Sequence, residues 1–130
     1  MSEMRRSVLI VDDEVSIRRS LRAYLEDEGF EVLDTGTAEA GLKVLSTAPA
    51  DAVIVDMRLA GMDGNSFIEM AHDIRPQAHF FIYTGSVGYQ PPPSLRAIGI
   101  GEEQVFQKPL RDMSLLVKAM RQRMDARRKE

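Results

Sequence analysis

The chain has 130 residues, 44% of them hydrophobic and 28% charged, with a formal net charge of −3; that is enough for one compact domain with a core and too short for two. It contains no cysteine, which excludes a disulfide framework, a thiolate metal cluster and a cysteine nucleophile. The last ten residues, RQRMDARRKE, carry five basic and two acidic groups, leaving −6 on the rest. A solvated helix end favoured by the helix dipole is a better reading of that tail than DNA binding, which would call for a broader basic footprint.

Near the N-terminus Arg5 and Arg6 precede the apolar run VLIV, which is only four residues long before acids follow. That is too short for a signal-peptide core or a membrane span, so the expectation is a soluble, cytoplasmic protein with no membrane partner. The run SVLIVD (7 to 12) reads as a strand buried on both faces. After it, Ile17, Leu21, Tyr24 and Leu25 fall at helical spacing, with Arg18, Arg19 and Arg22 expected on the other face and Gly29 as the stop. FEVLDT (30 to 35) is the second strand. Thr37 can cap a second helix carrying Ala38, Leu42 and Leu45, which Pro49 ends.

DAVIVDM (51 to 57) is the third strand, and Phe67, Ile68, Ala71 and Ile74 mark a third helix ended by Arg75 and Pro76. HFFIYT (79 to 84) is the fourth strand. The next segment, GSVGYQPPPSLRAIGIG, holds three consecutive prolines and four glycines. Any fourth helix must start near Pro93 and stop by about Ile98, so a short or irregular element is expected. EQVFQK (103 to 108) is the fifth strand, and Leu116, Ala119, Met120 and Met124 mark the last helix, with Asp112 as its cap. Strand and helix alternate throughout, which predicts an α/β fold: a parallel sheet covered by helices on both faces.

In an open parallel sheet, ligands bind at the carboxyl ends of the strands. Asp12 and Asp13 end the first run, Asp56 the third, Thr84 the fourth and Lys108 the fifth. Each alone has a bland reading as cap, turn or solvated side chain; their joint placement on one rim outweighs it. Two carboxylates about 5 Å apart at an effective dielectric near 20 repel by roughly 3 kcal/mol. Either some stay protonated or a cation sits among them. Oxygen donors without histidine or cysteine select a hard divalent ion, and Mg²⁺ suits a site with few protein ligands better than Ca²⁺. Such an ion, with Lys108, would make the rim attractive to a phosphoryl group. Asp56, after the central run AVIV, is then the expected nucleophile, and the Thr84 hydroxyl a donor to phosphoryl oxygens.

The ordered set of Asp12 and Asp13 in VLIVDDE, Asp56 in VIVDMRLAGMDG, Thr84 in YTGS, and Lys108 with Pro109 in QKPL resembles the receiver domain of two-component response regulators over about residues 6 to 126. The resemblance implies a single domain with a doubly wound, five-stranded sheet of order 2-1-3-4-5. It implies that a histidine kinase or a histidine phosphotransfer protein passes a phosphoryl group to Asp56, changing partner binding, with a second copy of the chain as another conceivable partner. It further implies Mg²⁺ held by Asp13, Asp56 and the backbone carbonyl of Arg58, Asp12 helping through water, Lys108 paired with the phosphoryl group, and a cis Lys108–Pro109 peptide.

Two departures from that pattern stand out. The position three before the lysine, usually aromatic, is Val105, and the adjacent Phe106 must point to the opposite face. The proline-rich segment replaces the usual fourth helix. These features keep a phosphorylation-independent interaction module as the alternative. An aspartyl-phosphate enzyme acting on external substrates is disfavoured, because the second acid such enzymes commonly need two residues after the nucleophile is replaced by Arg58. His72 and His79, without a partner at ligand spacing, read as structural or surface residues.

Overall fold

The computed structural model describes residues 5–129, and the side chains of 5–125. Five strands, β1 (Ser7–Val11), β2 (Glu31–Thr35), β3 (Ala52–Val55), β4 (His79–Thr84) and β5 (Val105–Gln107), alternate with helices α1 (Val15–Asp27), α2 (Ala38–Thr47), α3 (Gly64–Ile74), α4 (Pro93–Arg96) and α5 (Ser114–Lys129). All strand pairs are parallel, in the order β2-β1-β3-β4-β5. The expected doubly wound sheet is therefore present, and its order reverses between β1 and β3, where a crevice opens beyond the strand ends.

Side-chain alternation divides the core between two faces. Leu9, Val11, Val53, Val55, Phe80 and Ile82 pack on one side with residues of α2, α3 and α4, including Leu45, Phe67, Ile68 and Leu95. Val8, Ile10, Ile54, Phe81 and Tyr83 pack on the other with Leu21 and Leu25 of α1 and Leu116, Met120 and Met124 of α5. Among the described residues no helix is long and apolar enough to cross a membrane.

Local signals set most boundaries. Thr37 Oγ1 accepts the Ala40 N–H at 3.1 Å, and Asp63 does the same for Ser66 at 2.8 Å, each satisfying a donor that the first helical turn leaves open. Asp112 receives both the N–H and the hydroxyl of Ser114 at the start of α5. Gly29, after α1, takes φ of 96°, a conformation that glycine adopts without the Cβ penalty. α4 begins with Pro93 in its first turn and is four residues long, as the proline run requires.

Two expectations need correction. β5 spans three residues rather than the whole of 103 to 108, because Glu102–Gln104 form a 3-10 turn. Gln104 is buried there, its amide donating to the Phe80 carbonyl and its oxygen accepting from Gly101 N–H. Arg18 and Arg22 do not simply face solvent: both pair with Asp34 of β2, at 3.0 and 2.7 Å, and Arg18 Nη1 also donates to the Asp12 carbonyl at 2.7 Å.

Candidate functional site

The carboxyl ends of β1, β3, β4 and β5 converge on a cavity of about 230 Å³ lined by Asp13, Glu14, Asp56, Arg58, Gly85, Ser86 and Lys108. Asp56 directly follows β3, the central strand, and is only 5% exposed. Its N–H is tied to the Val11 carbonyl at 3.1 Å, which sets it beside the end of β1. Asp12, 3% exposed, turns inward: one carboxylate oxygen accepts the Glu14 N–H at 2.9 Å, and its N–H donates to Thr35. Asp13, one residue on, is exposed at the cavity wall.

Lys108 lies between the two buried acids, its Nζ 2.8 Å from Asp12 and 3.2 Å from Asp56, with Glu14 at 3.9 Å. Its backbone N–H donates to the Thr84 carbonyl at 2.8 Å, and the following peptide to Pro109 is cis. Burial pushes the Asp12 carboxyl above its usual range, only partly opposed by the hydrogen bond from Lys108. For the Lys108 ammonium the largest single influence is burial, which lowers its pKa. The bond and charge of Asp12, together with Asp56, outweigh it and leave the pKa raised. The lysine therefore stays charged, since a cation held by acids on two strands is favoured over its neutral form.

Donor oxygens of Asp12, Asp13, Glu14 and Asp56 all lie within 4.8 Å of one another. One ammonium among four carboxylates leaves a surplus of negative charge, and the donors are all oxygen. This arrangement fits a hard divalent cation such as Mg²⁺. The expected residues thus come together, and Glu14 joins them as a member that sequence reading missed, although it is the third acid of the same DDE run. Arg58 is exposed at the cavity wall.

Thr84 departs from its expected presentation. Its side chain is fully buried, and its Oγ1 accepts the Ser86 N–H at 3.1 Å, so Gly85 and Ser86 rather than Thr84 line the cavity. The loop beyond is tied down at Tyr89, whose hydroxyl donates to Asn65 of α3 at 2.5 Å. Burial, with Asp63 nearby, pushes the Tyr89 phenol up to about 12. Val105 packs on the α2–α4 face and Phe106 on the α1/α5 face, as strand alternation predicts.

Comparison with known proteins places this geometry in context. The family model described as response regulator receiver domain matches residues 8–121. The putative response regulator NtrX-like of Rickettsia felis is 35% identical over 112 residues, covering 85% of this chain and 23% of that protein. The KDP operon transcriptional regulatory protein KdpE of Escherichia coli is 33% identical over 103 residues, 79% of this chain and 44% of its own length. The chain thus spans less than half the length of either relative. A crystal structure of a CheY-like response regulator receiver domain protein from Methanospirillum hungatei superposes with a TM-score of 0.83 at 26% identity, covering 97% of this chain and 98% of that one.

Proposed function

Because the chain belongs to the response regulator receiver domain family, we propose that it serves two-component signalling by accepting a phosphoryl group on Asp56 and changing its affinity for partners. The donor would be the phosphohistidine of a histidine kinase or a histidine phosphotransfer protein. Residues 6–126 would act as one receiver unit, with DNA and membrane outside its direct contacts. The observation that carries this reading is the Lys108 ammonium lodged between the buried Asp12 and Asp56, at the strand ends where the cavity opens.

A carboxylate oxygen of Asp56 attacks phosphorus in line with the donor's P–N bond. That bond breaks, the imidazole keeps the electron pair, and Asp56 becomes an acyl phosphate. Asp13, Asp56 and the Arg58 carbonyl would hold Mg²⁺, with Asp12 acting through water, and the ion when bound would offset charge on the transferring oxygens. Lys108, already 3.2 Å from Asp56, would also offset charge on those oxygens without having to be recruited. Thr84 would donate its hydroxyl proton to a phosphoryl oxygen after a small movement of the Gly85–Ser86 loop. The protein modifies its own side chain rather than turning over an external substrate.

The test is intact mass spectrometry after incubation with acetyl phosphate and Mg²⁺. A single phosphoryl adduct is expected, absent in Asp56→Asn and without metal. Failure with this donor and with a panel of histidine kinases would favour a phosphorylation-independent binding module, the reading that Val105 and the one-turn α4 support.

A further inference from the structure

Strand β4 carries its chemistry on two faces. Thr84 shares the parity of Phe80 and Ile82, which pack toward α2–α4, whereas Tyr83 packs with Phe81 toward α1 and α5. On the Thr84 face, the neighbouring strand offers Val105, paired in register with Ile82, and Gln107, paired with Thr84 itself. Valine has no ring and no polar atom with which to follow a hydroxyl, and the Gln107 amide donates to the Thr84 carbonyl at 3.2 Å rather than to its hydroxyl, so that face offers no aromatic side chain to follow Thr84.

The opposite face has one. Tyr83 is 6% exposed and its ring centroid lies 5.7 Å from Lys108 Nζ, within the range where an ammonium is attracted to a ring. Its hydroxyl oxygen accepts the Leu110 N–H at 3.3 Å. Leu110 and Met113 in turn pack against the cluster that holds Leu116 and Val117 of α5. One rigid side chain therefore touches the lysine of the site at one end and the segment leading into α5 at the other.

We propose that Tyr83 is the positioning residue through which the state of Asp56 reaches the β5–α5 loop, an inference that rests on Asp56 being the phosphoacceptor. In the unmodified protein the Lys108 ammonium is shared between Asp12 at 2.8 Å and Asp56 at 3.2 Å. A phosphoryl group on Asp56 brings more negative charge and three strong acceptor oxygens, which draw the ammonium away from Asp12. The ammonium then shifts relative to the Tyr83 ring. The ring is packed on its other sides and cannot follow without moving its hydroxyl, so the Leu110 contact changes. The response emerges on the α5 side of the sheet, and no aromatic side chain is needed at position 105.

The test uses the full chain with Mg²⁺, with and without beryllofluoride as a phosphoryl mimic. Ring-carbon NMR of tyrosine-labelled protein follows its three tyrosines, assigned with Tyr24→Phe, Tyr83→Phe and Tyr89→Phe. On saturation the Tyr83 ring signal and the Leu110 amide signal should both shift while Tyr24 stays in place. Tyr83→Phe keeps the ring beside Lys108 and removes the acceptor for Leu110. It should still form the acetyl phosphate adduct but lose the Leu110 shift, and Tyr83→Leu should lose it as well. A Tyr83 signal that stays still in saturated wild-type protein overturns the proposal, and this reading needs no variant to fold. A full Leu110 shift in Tyr83→Phe overturns it equally. If beryllofluoride perturbs no signal in wild type, the Asp56 reading itself falls and this inference with it; shifts confined to residues 85–98 sink only the role of Tyr83.

Discussion

Neutralising Asp13 isolates the charge surplus of the site from its packing. Asp13 is exposed, so Asp13→Asn removes a charge without opening a cavity. Its carboxylate lies within 4.8 Å of those of Asp12, Glu14 and Asp56, and at that separation each pair repels by about 0.9 kcal/mol in a water-like dielectric. Lys108 cancels roughly one of these three repulsions, and screening at physiological ionic strength, where the Debye length is about 8 Å, removes nearly half of the remainder. Metal-free Asp13→Asn should therefore be more stable than wild type by about 1 kcal/mol, raising Tm by roughly 3–5 °C for a domain of this size. With Mg²⁺ the order should reverse, because an ion that binds only the folded state stabilises it by RT ln(1 + c/Kd), where c is the free Mg²⁺ concentration, and the variant holds the ion less well. Thermal melts in EDTA and in millimolar Mg²⁺, each at low and high salt, read both effects. If the variant in EDTA is no more stable than wild type, Asp13 is not repelled by its neighbours; if it gains as much from Mg²⁺ as wild type does, Asp13 is not a ligand.

Three further outcomes follow from other parts of the fold. A Cβ at Gly64 would come within 2.6 Å of the Asp56 carbonyl and 2.8 Å of Met57 Cα, so Gly64→Ala must displace the start of α3. It should cost about 1–3 kcal/mol in urea unfolding and slow phosphoryl labelling of Asp56. Gln104→Leu leaves the Phe80 carbonyl and the Gly101 N–H without their side-chain partner; a loss of about 1–3 kcal/mol is expected, read from the urea midpoint. Tyr89 should be seen to ionise near 12 by absorbance titration, with the signal lost in Tyr89→Phe. An unfolded tyrosine gives up its proton near pH ~10, so between about 10 and 12 the unfolded chain binds fewer protons than the folded one and stability falls with rising pH. The Tyr89 contribution is intact below that window, and Tyr89→Phe should flatten this part of the pH profile.

Periodicity and strand-end chemistry made most of the site readable from the chain alone. The HFFIYT run coincides with β4, and the acids of VLIVDDE, Asp56 and Lys108 meet because each follows a strand in a sheet whose ends align. What escaped depends on partners distant in sequence. Nothing local distinguishes Asp12 from Asp13, yet one is buried against Lys108, 96 positions on, and the other is exposed. Arg18 and Arg22 fall on the polar side of α1 by spacing, but β2 brings Asp34 beneath them, 16 and 12 residues away. Gln104 sits in what reads as a continuous strand, and its bond to Phe80 across 24 residues anchors the 3-10 turn that forms instead. Nothing in the sequence around Tyr89 points to its partner Asn65, which lies on α3, 24 residues away.

The same contrast bears on which face of the molecule can change. α4 is a single turn of four residues, and one turn forms at a net cost, since nucleation fixes several dihedrals for each hydrogen bond gained. It is therefore held by its surroundings: Ser94 donates to Glu69 of α3 at 2.8 Å, Tyr89 to Asn65, and Leu95 is fully buried. Pro91, Pro92 and Pro93 further limit the conformations that the segment must give up on folding. A loop fastened in this way is a preformed surface rather than a moving part, and its neighbour Val105 offers nothing to drive it. On the other face, the contact between Tyr83 and Leu110 is a single long hydrogen bond of 3.3 Å next to a lysine shared by two acids. Movement at lowest cost therefore lies along Lys108, Tyr83 and the start of α5, and the proline-rich face is the more firmly fastened of the two.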